Sequence, residues 1–300
     1  MTNGFGMPVT DSHVHLYPPE ANRDPAGWAA ARKETHWATL ATRRRKDGRP
    51  VQGFAGVETL LRAMDAAGIA RAVLLGWYWE HAETCAEQNR FHAECVRLHP
   101  DRLSACASLH PAAGRVATLA EVRRACDEGL IGLGELSPHS QGYAVDDPVF
   151  REVLALAADL KLPVNLHVTD PDSRDFPGRV ATPLADFTRL ATEFPGTTFI
   201  LAHWGGLLPL RDPAALKLTN VFYDTAASPL LYGPEIWHRF IDAVGAERVL
   251  FGSDFPLNLY PKLELEAELG RLVEEARSSG LAPDGLAAVF HDNVARIFRL

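Results

Sequence analysis

Three hundred residues, 47% hydrophobic and 23% charged, have the composition of a soluble globular chain long enough to bury a sizeable core. A formal charge of −8 leaves no electrostatic footprint for nucleic acid or an anionic membrane. No apolar run approaches the roughly 20 residues that span a bilayer. The four cysteines, Cys85, Cys95, Cys106 and Cys126, form no Cys-x-x-Cys pair and read as reduced thiols. Met1–Pro8 lacks the basic-then-apolar pattern of a secretory leader. Together these point to a cytoplasmic protein.

Short apolar strands alternate with amphipathic helices. A first strand is predicted over Pro8–Leu16, then a long polar stretch from Tyr17 to Gly53 with no clear core pattern. A helix over Ala55–Ala67 ends at Gly68, a good C-cap. Strands follow at Arg71–Trp79, Leu103–His110, Ile131–Ser137 and Pro163–Thr169, then at Thr198–Gly205, Val221–Ala226 and Arg248–Asp254. Between them lie helices at Ala82–Leu98, Arg115–Asp127, Pro148–Leu160, Pro183–Glu193, Pro213–Leu218 and Pro234–Val244. Asp146 and Asp147 complement the dipole at the start of the Pro148 helix. Helices at Leu263–Arg277 and Pro283–Phe298 close the chain. This alternation predicts an α/β fold, a single (β/α)8 TIM barrel domain over residues 1–300 with a long loop after strand one. A doubly wound open sheet is less economical, because no Gly-x-Gly-x-x-Gly turn follows strand one.

Barrel chemistry sits at the C-terminal ends of the strands. Strand one carries His13 and His15, one residue apart and so on one face, with Asp11 on the same face. A lone His-x-His is more often two hydrogen-bonded side chains than half a metal site. Here, however, Glu135 ends strand four, His167 strand five, His203 strand six and Asp254 strand eight. Any one of these reads as a satisfied polar cap. Six at one mouth would be costly to bury without a compensating cation.

Asp11-Ser12-His13-Val14-His15, Gly134-Glu135, Leu166-His167, Ala202-His203-Trp204-Gly205-Gly206 and Gly252-Ser253-Asp254-Phe255-Pro256 resemble the successive motifs of the amidohydrolase superfamily. The nearest branch is the amidohydrolase-related group that includes aminocarboxymuconate-semialdehyde decarboxylase-like enzymes. Asn293-Val294-Ala295-Arg296-Ile297-Phe298 is similar to that group's final helix. The resemblance implies that His13, His15, His167 and Asp254 hold a divalent metal, usually zinc, with His203 beside it as a polarising or proton-transferring group. Glu135 has two readings: a bridge between two metals, or a carboxylate orienting a ligand from behind. One metal ranks ahead of two. The resemblance also implies a homodimer.

Such a centre activates water, with Asp254 accepting and returning its proton and His203 polarising a carbonyl. The resulting expectation is a hydrolase of an amide, ester or lactone in a small organic substrate. Non-oxidative decarboxylation on the same site is the alternative. A TatD-like nuclease ranks lower, because the chain is acidic and a phosphodiester polymer needs cations. A non-catalytic binding module has no need of the full ligand set.

The Tyr17–Gly53 stretch is expected to cover the substrate. It carries Trp28, His36, Trp37 and the basic run Arg43-Arg44-Arg45-Lys46 with Arg49. Such a run is usually solvated surface; a carboxylate-binding arginine within it is the sharper idea. With Trp77, Trp79 and Trp204, five of the six tryptophans fall at the catalytic end and suggest a flat or cyclic substrate. His81, His92, His99, His238 and His291 read as surface or capping residues, and His110 and His139 lie at strand ends without a fixed role. Asp11 is expected to orient the histidines, and Asp224 to be either a supporting partner or a turn cap.

Overall fold

A computed structural model describes residues 7–300, so the leader reading of Met1–Pro8 lies largely outside the described residues. All eight predicted strands are present, each shorter than expected. They are β1 (Val9–Val14), β2 (Ile69–Leu74), β3 (Leu103–Ala107), β4 (Gly132–Leu136), β5 (Val164–Leu166), β6 (Phe199–Leu201), β7 (Val221–Asp224) and β8 (Val249–Leu250). Each pairs in parallel with the next, in the order β1 to β8. The ring closes where the Ser12 amide donates to the Phe251 carbonyl (2.8 Å) and the Asp254 amide to that of His13 (2.8 Å). The fold is a (β/α)8 barrel.

The helices between strands bury apolar faces against the barrel. In Pro148–Leu160 the Asp147 carboxylate caps the amides of Val149 and Phe150, and Phe150, Val153 and Leu154 point to the core. The last helix, Asn293–Phe298, crosses the N-terminal end of the barrel. Asn293 donates to the Val249 carbonyl at the start of β8, and Val294, Ile297 and Phe298 pack among Val73, Ile200 and Leu250. That end is plugged, which leaves the C-terminal mouth for chemistry.

Two expectations fail. The Tyr17–Gly53 stretch is not a featureless loop but holds three short helices, Pro19–Arg23, Pro25–Arg32 and Thr35–Ala41. They share a small core of Tyr17, Trp28, Trp37 and Trp79. The helix expected over Leu263–Arg277 begins only at Gly270. Among the described residues, no helix is long and apolar enough to cross a membrane.

Candidate metal centre

The side chains that close in at the mouth are placed by local backbone features. Alternation carries His13, in β1, and His15, one residue past its end, to the same side of the chain. The Asp11 carboxylate accepts the amides of His13 (3.1 Å) and Ser253 (2.9 Å); it pins β1 to β8 rather than joining the donors. A Cβ on Gly252 would lie 2.8 Å from that of His13, so β8 approaches β1 this closely only without a side chain. The β4–β5 register slips between Leu133 and Leu136, and β4 reaches the mouth with Glu135 turned inward. His203 and Asp254 take left-handed backbone conformations, φ 58 and 68, which non-glycine residues adopt rarely and mostly at constrained sites.

All six residues expected at the mouth converge. Glu135 is at the centre. Its Oε2 lies 3.6 Å from His15 Nε2 and 3.9 Å from His13 Nε2, and its Oε1 lies 3.0 Å from His167 Nδ1 and 3.7 Å from His203 Nε2. It belongs to two donor groups, His13–His15–Glu135 and Glu135–His167–His203. Asp254 faces them, with Oδ1 3.5 Å from His15 Nε2 and Oδ2 3.8 Å from His203 Nδ1.

The hydrogen-bond partners fix the tautomers. His13 Nδ1 donates to Asp224 Oδ2 (2.9 Å), His15 Nδ1 to the Leu75 carbonyl (3.2 Å) and His203 Nδ1 to the Ala226 carbonyl (3.0 Å). Three Nε2 lone pairs are therefore left pointing inward. Those of His13 and His15 face each other at 3.1 Å, an arrangement that requires a cation, proton or metal, between them. With two carboxylates alongside, the donor set fits a divalent ion taking nitrogen and oxygen ligands.

Without such an ion the groups polarise one another. Burial opposes charge on His13, but Asp224, Glu135 and Asp254 outweigh it and lift its pKa to about 10. Burial and the neighbouring His13 push His15 down to about 3. Burial and His167 push His203 down to about 4. Burial raises Asp254 to about 7 against the pull of His13. Glu135 resists its own burial because His167 and His13 hold it well below the usual carboxylate range. Opposed shifts packed this tightly mark a functional site.

Asp224 is the supporting partner, not a turn cap alone. Besides His13 it accepts Asn165 Nδ2 (3.0 Å) and the amides of His203 (3.1 Å) and Ala226 (3.0 Å). In the sequence Asn165 does not stand out, and Gly252 is held only as part of a motif, because neither residue type signals such a supporting role.

A cavity of about 650 Å³ rises from the centre and includes His36, Arg43, Gln52, Tyr78, Phe176 and Leu231 in its walls. The tryptophan expectation needs correction. Only Trp77 lines this cavity among the described residues; Trp28, Trp37 and Trp79 fill the small core of the excursion, and Trp204 is buried against Trp237. Trp77 and Tyr78 stack at 4.3 Å, and Tyr78 lies 5.0 Å from the His167 ring. His92 is fully buried, not surface, and bonds the Leu16 carbonyl. His110 and His139 bond Gln141 and Asp186 and do not line the cavity.

A parallel barrel with a histidine–carboxylate cluster at its C-terminal mouth has the layout of a metal-assisted enzyme. The family model described as amidohydrolase matches residues 10–300, so the chain belongs to the amidohydrolase family of enzymes. Among curated proteins no sequence matches. Solved structures share the fold. 5-Carboxyvanillate decarboxylase from Sphingomonas paucimobilis aligns at 18% identity with a TM-score of 0.73, covering 98% of this chain and 100% of that one. The Rhizobium 2,6-dihydroxybenzoate decarboxylase gives 21%, 0.69, 98% and 99%. The 5-carboxyvanillate decarboxylase of Novosphingobium aromaticivorans, complexed with manganese and a nitrobenzoic acid, gives 16%, 0.75, 98% and 97%.

Proposed function

We propose that the centre holds one divalent cation and that the protein is a metal-dependent lyase releasing carbon dioxide from a small planar carboxylic acid. The carrying observation is the facing Nε2 atoms of His13 and His15, with Glu135 and Asp254 beside them and His203 turning a bare Nε2 to the same spot, at the floor of a cavity walled by the stacked Trp77–Tyr78 pair. The likeness in fold to hydroxybenzoate-type decarboxylases moves the reading from the hydrolysis favoured by the sequence to decarboxylation. Hydrolysis stays second, because the same donors suit an activated water.

His13, His15, His167 and Asp254 would hold the ion, with Glu135 close enough to join them. The bound ion supplies Lewis acidity, neutralising a substrate carboxylate or drawing the pKa of water from ~15.7 toward ~7. The rest falls to the protein. Trp77 and Tyr78 orient a flat ring. Asp254 delivers the proton that replaces the departing carbon dioxide on the ring carbon. His203, with its Nδ1 proton held by Ala226, offers a bare Nε2; it takes or binds rather than polarises by donation. Zinc is the ion we propose; manganese, present in one structure of the same fold, is the alternative.

The test is metal content followed by turnover. Protein loaded with zinc or manganese is offered 2,6-dihydroxybenzoate and 5-carboxyvanillate with carbon dioxide as readout, and in parallel aryl esters and lactones. Carbon dioxide release that chelation abolishes supports the lyase. Turnover of the esters or lactones alone transfers the assignment to hydrolysis. No bound metal after reconstitution defeats both. About one ion per chain, lost in His13→Asn, fits the single-ion centre, and about two would make Glu135 a bridge.

A further inference from the structure

His167 is set differently from the other histidines of the centre. His13, His15 and His203 each give an Nδ1 proton to an acceptor behind them and turn Nε2 inward. His167 is reversed. Its Nδ1 faces the centre, 3.0 Å from Glu135 Oε1 and 3.2 Å from His203 Nε2. Its Nε2 is turned away and lies 3.2 Å from the Thr169 hydroxyl. His167 is also the most exposed side chain of the six, at 18% against 9% or less for the others. The Tyr78 and His203 rings stand 5.0 Å from it on either count, and neither distinguishes its nitrogens from its carbons. A half-turn about the Cβ–Cγ bond, a torsion with two nearly equal wells, would set carbon instead of Nδ1 toward Glu135.

Thr169 opposes that turn. Among the described residues its hydroxyl bonds His167 Nε2 alone. Its backbone is clamped by one side chain: the Thr169 amide donates to Thr182 Oγ1 (2.8 Å), and that hydroxyl donates to the Thr169 carbonyl (3.3 Å). Both threonines are buried, so the hydroxyl is held in place behind the ring.

A hydroxyl differs chemically from the acceptors behind the other three rings. The Asp224 carboxylate and the Leu75 and Ala226 carbonyls only accept, whereas a hydroxyl donates or accepts. With no ion bound, His167 Nδ1 lies between two acceptors, Glu135 Oε1 and the bare Nε2 of His203, and so carries a proton; the Thr169 hydroxyl then donates to Nε2. An ion held by Nδ1 needs its lone pair. The proton then sits on Nε2, and the hydroxyl turns to accept it.

We infer that Thr169 is a positioning residue, whose hydroxyl orients His167 with Nδ1 toward the metal centre and follows the ring's change of tautomer when a divalent cation binds. This rests on the metal-centre reading above and deepens it.

Zinc affinity and ring NMR of the whole protein test it. Competition with a fluorescent chelator should show zinc binding weakened about 10–100-fold in Thr169→Val, which keeps the shape and removes the hydroxyl, and about the wild-type affinity in Thr169→Ser. In ¹⁵N-labelled wild type, with the His167 signals identified by their loss in His167→Asn, the ring proton should sit on Nδ1 before zinc is added and on Nε2 afterwards. Zinc affinity of Thr169→Val within about twofold of the wild type, well below the ~10-fold floor for such partners, overturns the assignment. So does a Thr169→Ser protein as weak as Thr169→Val, or a His167 proton still on Nδ1 in the zinc-loaded wild type. The last result is read on the wild type and is independent of how the variants fold. If the wild type binds no zinc, the metal-centre reading fails and the role of Thr169 fails with it. If the wild type binds zinc and Thr169→Val binds it equally, only the inference about Thr169 falls.

Discussion

Replacing Asp224 with asparagine tests how the centre is set. The Asp224 carboxylate takes four donors: His13 Nδ1 at 2.9 Å, Asn165 Nδ2 at 3.0 Å, and the amides of His203 and Ala226 at 3.1 and 3.0 Å. Asparagine keeps one acceptor oxygen and puts an NH₂ where the other was. If the oxygen serves the two amides, the NH₂ meets His13 and forces its proton from Nδ1 to Nε2, removing the lone pair that faces the proposed metal position. If it serves His13, two buried amides lose their acceptor, at about 1–3 kcal/mol each. Loss of a carboxylate behind a metal-binding histidine typically weakens metal affinity ~10–100-fold, about 1.4–2.7 kcal/mol. Competition for zinc against a chromogenic chelator, alongside guanidinium unfolding of the metal-free protein, separates the outcomes. A variant that loses stability while its zinc affinity stays within about twofold, well below the ~10-fold floor for such partners, would refute the tautomer argument and leave Asp224 as a strut between β6 and β7.

Three further expectations follow from packing and burial. Gly252→Ala sets a methyl 2.8 Å from the His13 Cβ; overpacking of this kind costs about 1–3 kcal/mol, and metal content should fall with the melting temperature. Unchanged values of both would show that β8 yields freely. Trp37→Ala empties the small core of the excursion at about 3–5 kcal/mol, so limited proteolysis should cut within residues 17–53 before the barrel; cutting as slow as in the wild type counts against a separately packed excursion. His92, pushed by burial from 6.5 down to about 4, binds a proton less readily folded than unfolded. Its contribution is complete above pH 6.5 and is lost as pH falls toward 4, about 3 kcal/mol for a gap of about 2.5 pH units. His92→Gln should flatten that part of the profile, and identical profiles for the two proteins would contradict it.

Much of the barrel is legible because its signal is local. Each strand centre, such as Val73-Leu74-Leu75 or Phe199-Ile200-Leu201, is a short apolar run, and each polar residue at its end stands out against that run. The convergence of His13, His15, Glu135, His167, His203 and Asp254 was readable for the same reason. The excursion was not. Its helices are five to eight residues long, too short to display a period, and Trp28 and Trp37 meet Trp79 only after the chain has folded back across β2. A tryptophan that closes such a contact and one that faces a ligand read alike in sequence, so Trp28, Trp37, Trp79 and Trp204 read as cavity residues although, of the five, only Trp77 lines it.

The helix Ala82–Leu98 shows why polar residues can mislead in the same way. Its buried face is Thr84, Cys85, Gln88, Asn89, His92 and Cys95, a helical stripe made mostly of polar side chains, which by pattern alone reads as the solvated side. The reason lies at the mouth. Where parallel strands stop to make room for a site, their last amides and carbonyls lose sheet partners and need others. Gln88 accepts the Trp77 amide (2.7 Å) and donates to the Leu16 carbonyl (3.0 Å), which also takes His92 (3.1 Å). Asn89 both donates to and accepts from the Ser108 backbone (2.9 and 2.8 Å). One helix face thus fixes the chain just past β1, β2 and β3: the carbonyl one residue beyond His15, the amide of the Trp77 shelf, and the end of β3. An apolar stripe there would leave those backbone groups buried without partners, loosening the wall beside the proposed metal position. The polar stripe is therefore part of what holds the centre, although none of its side chains reaches the cavity.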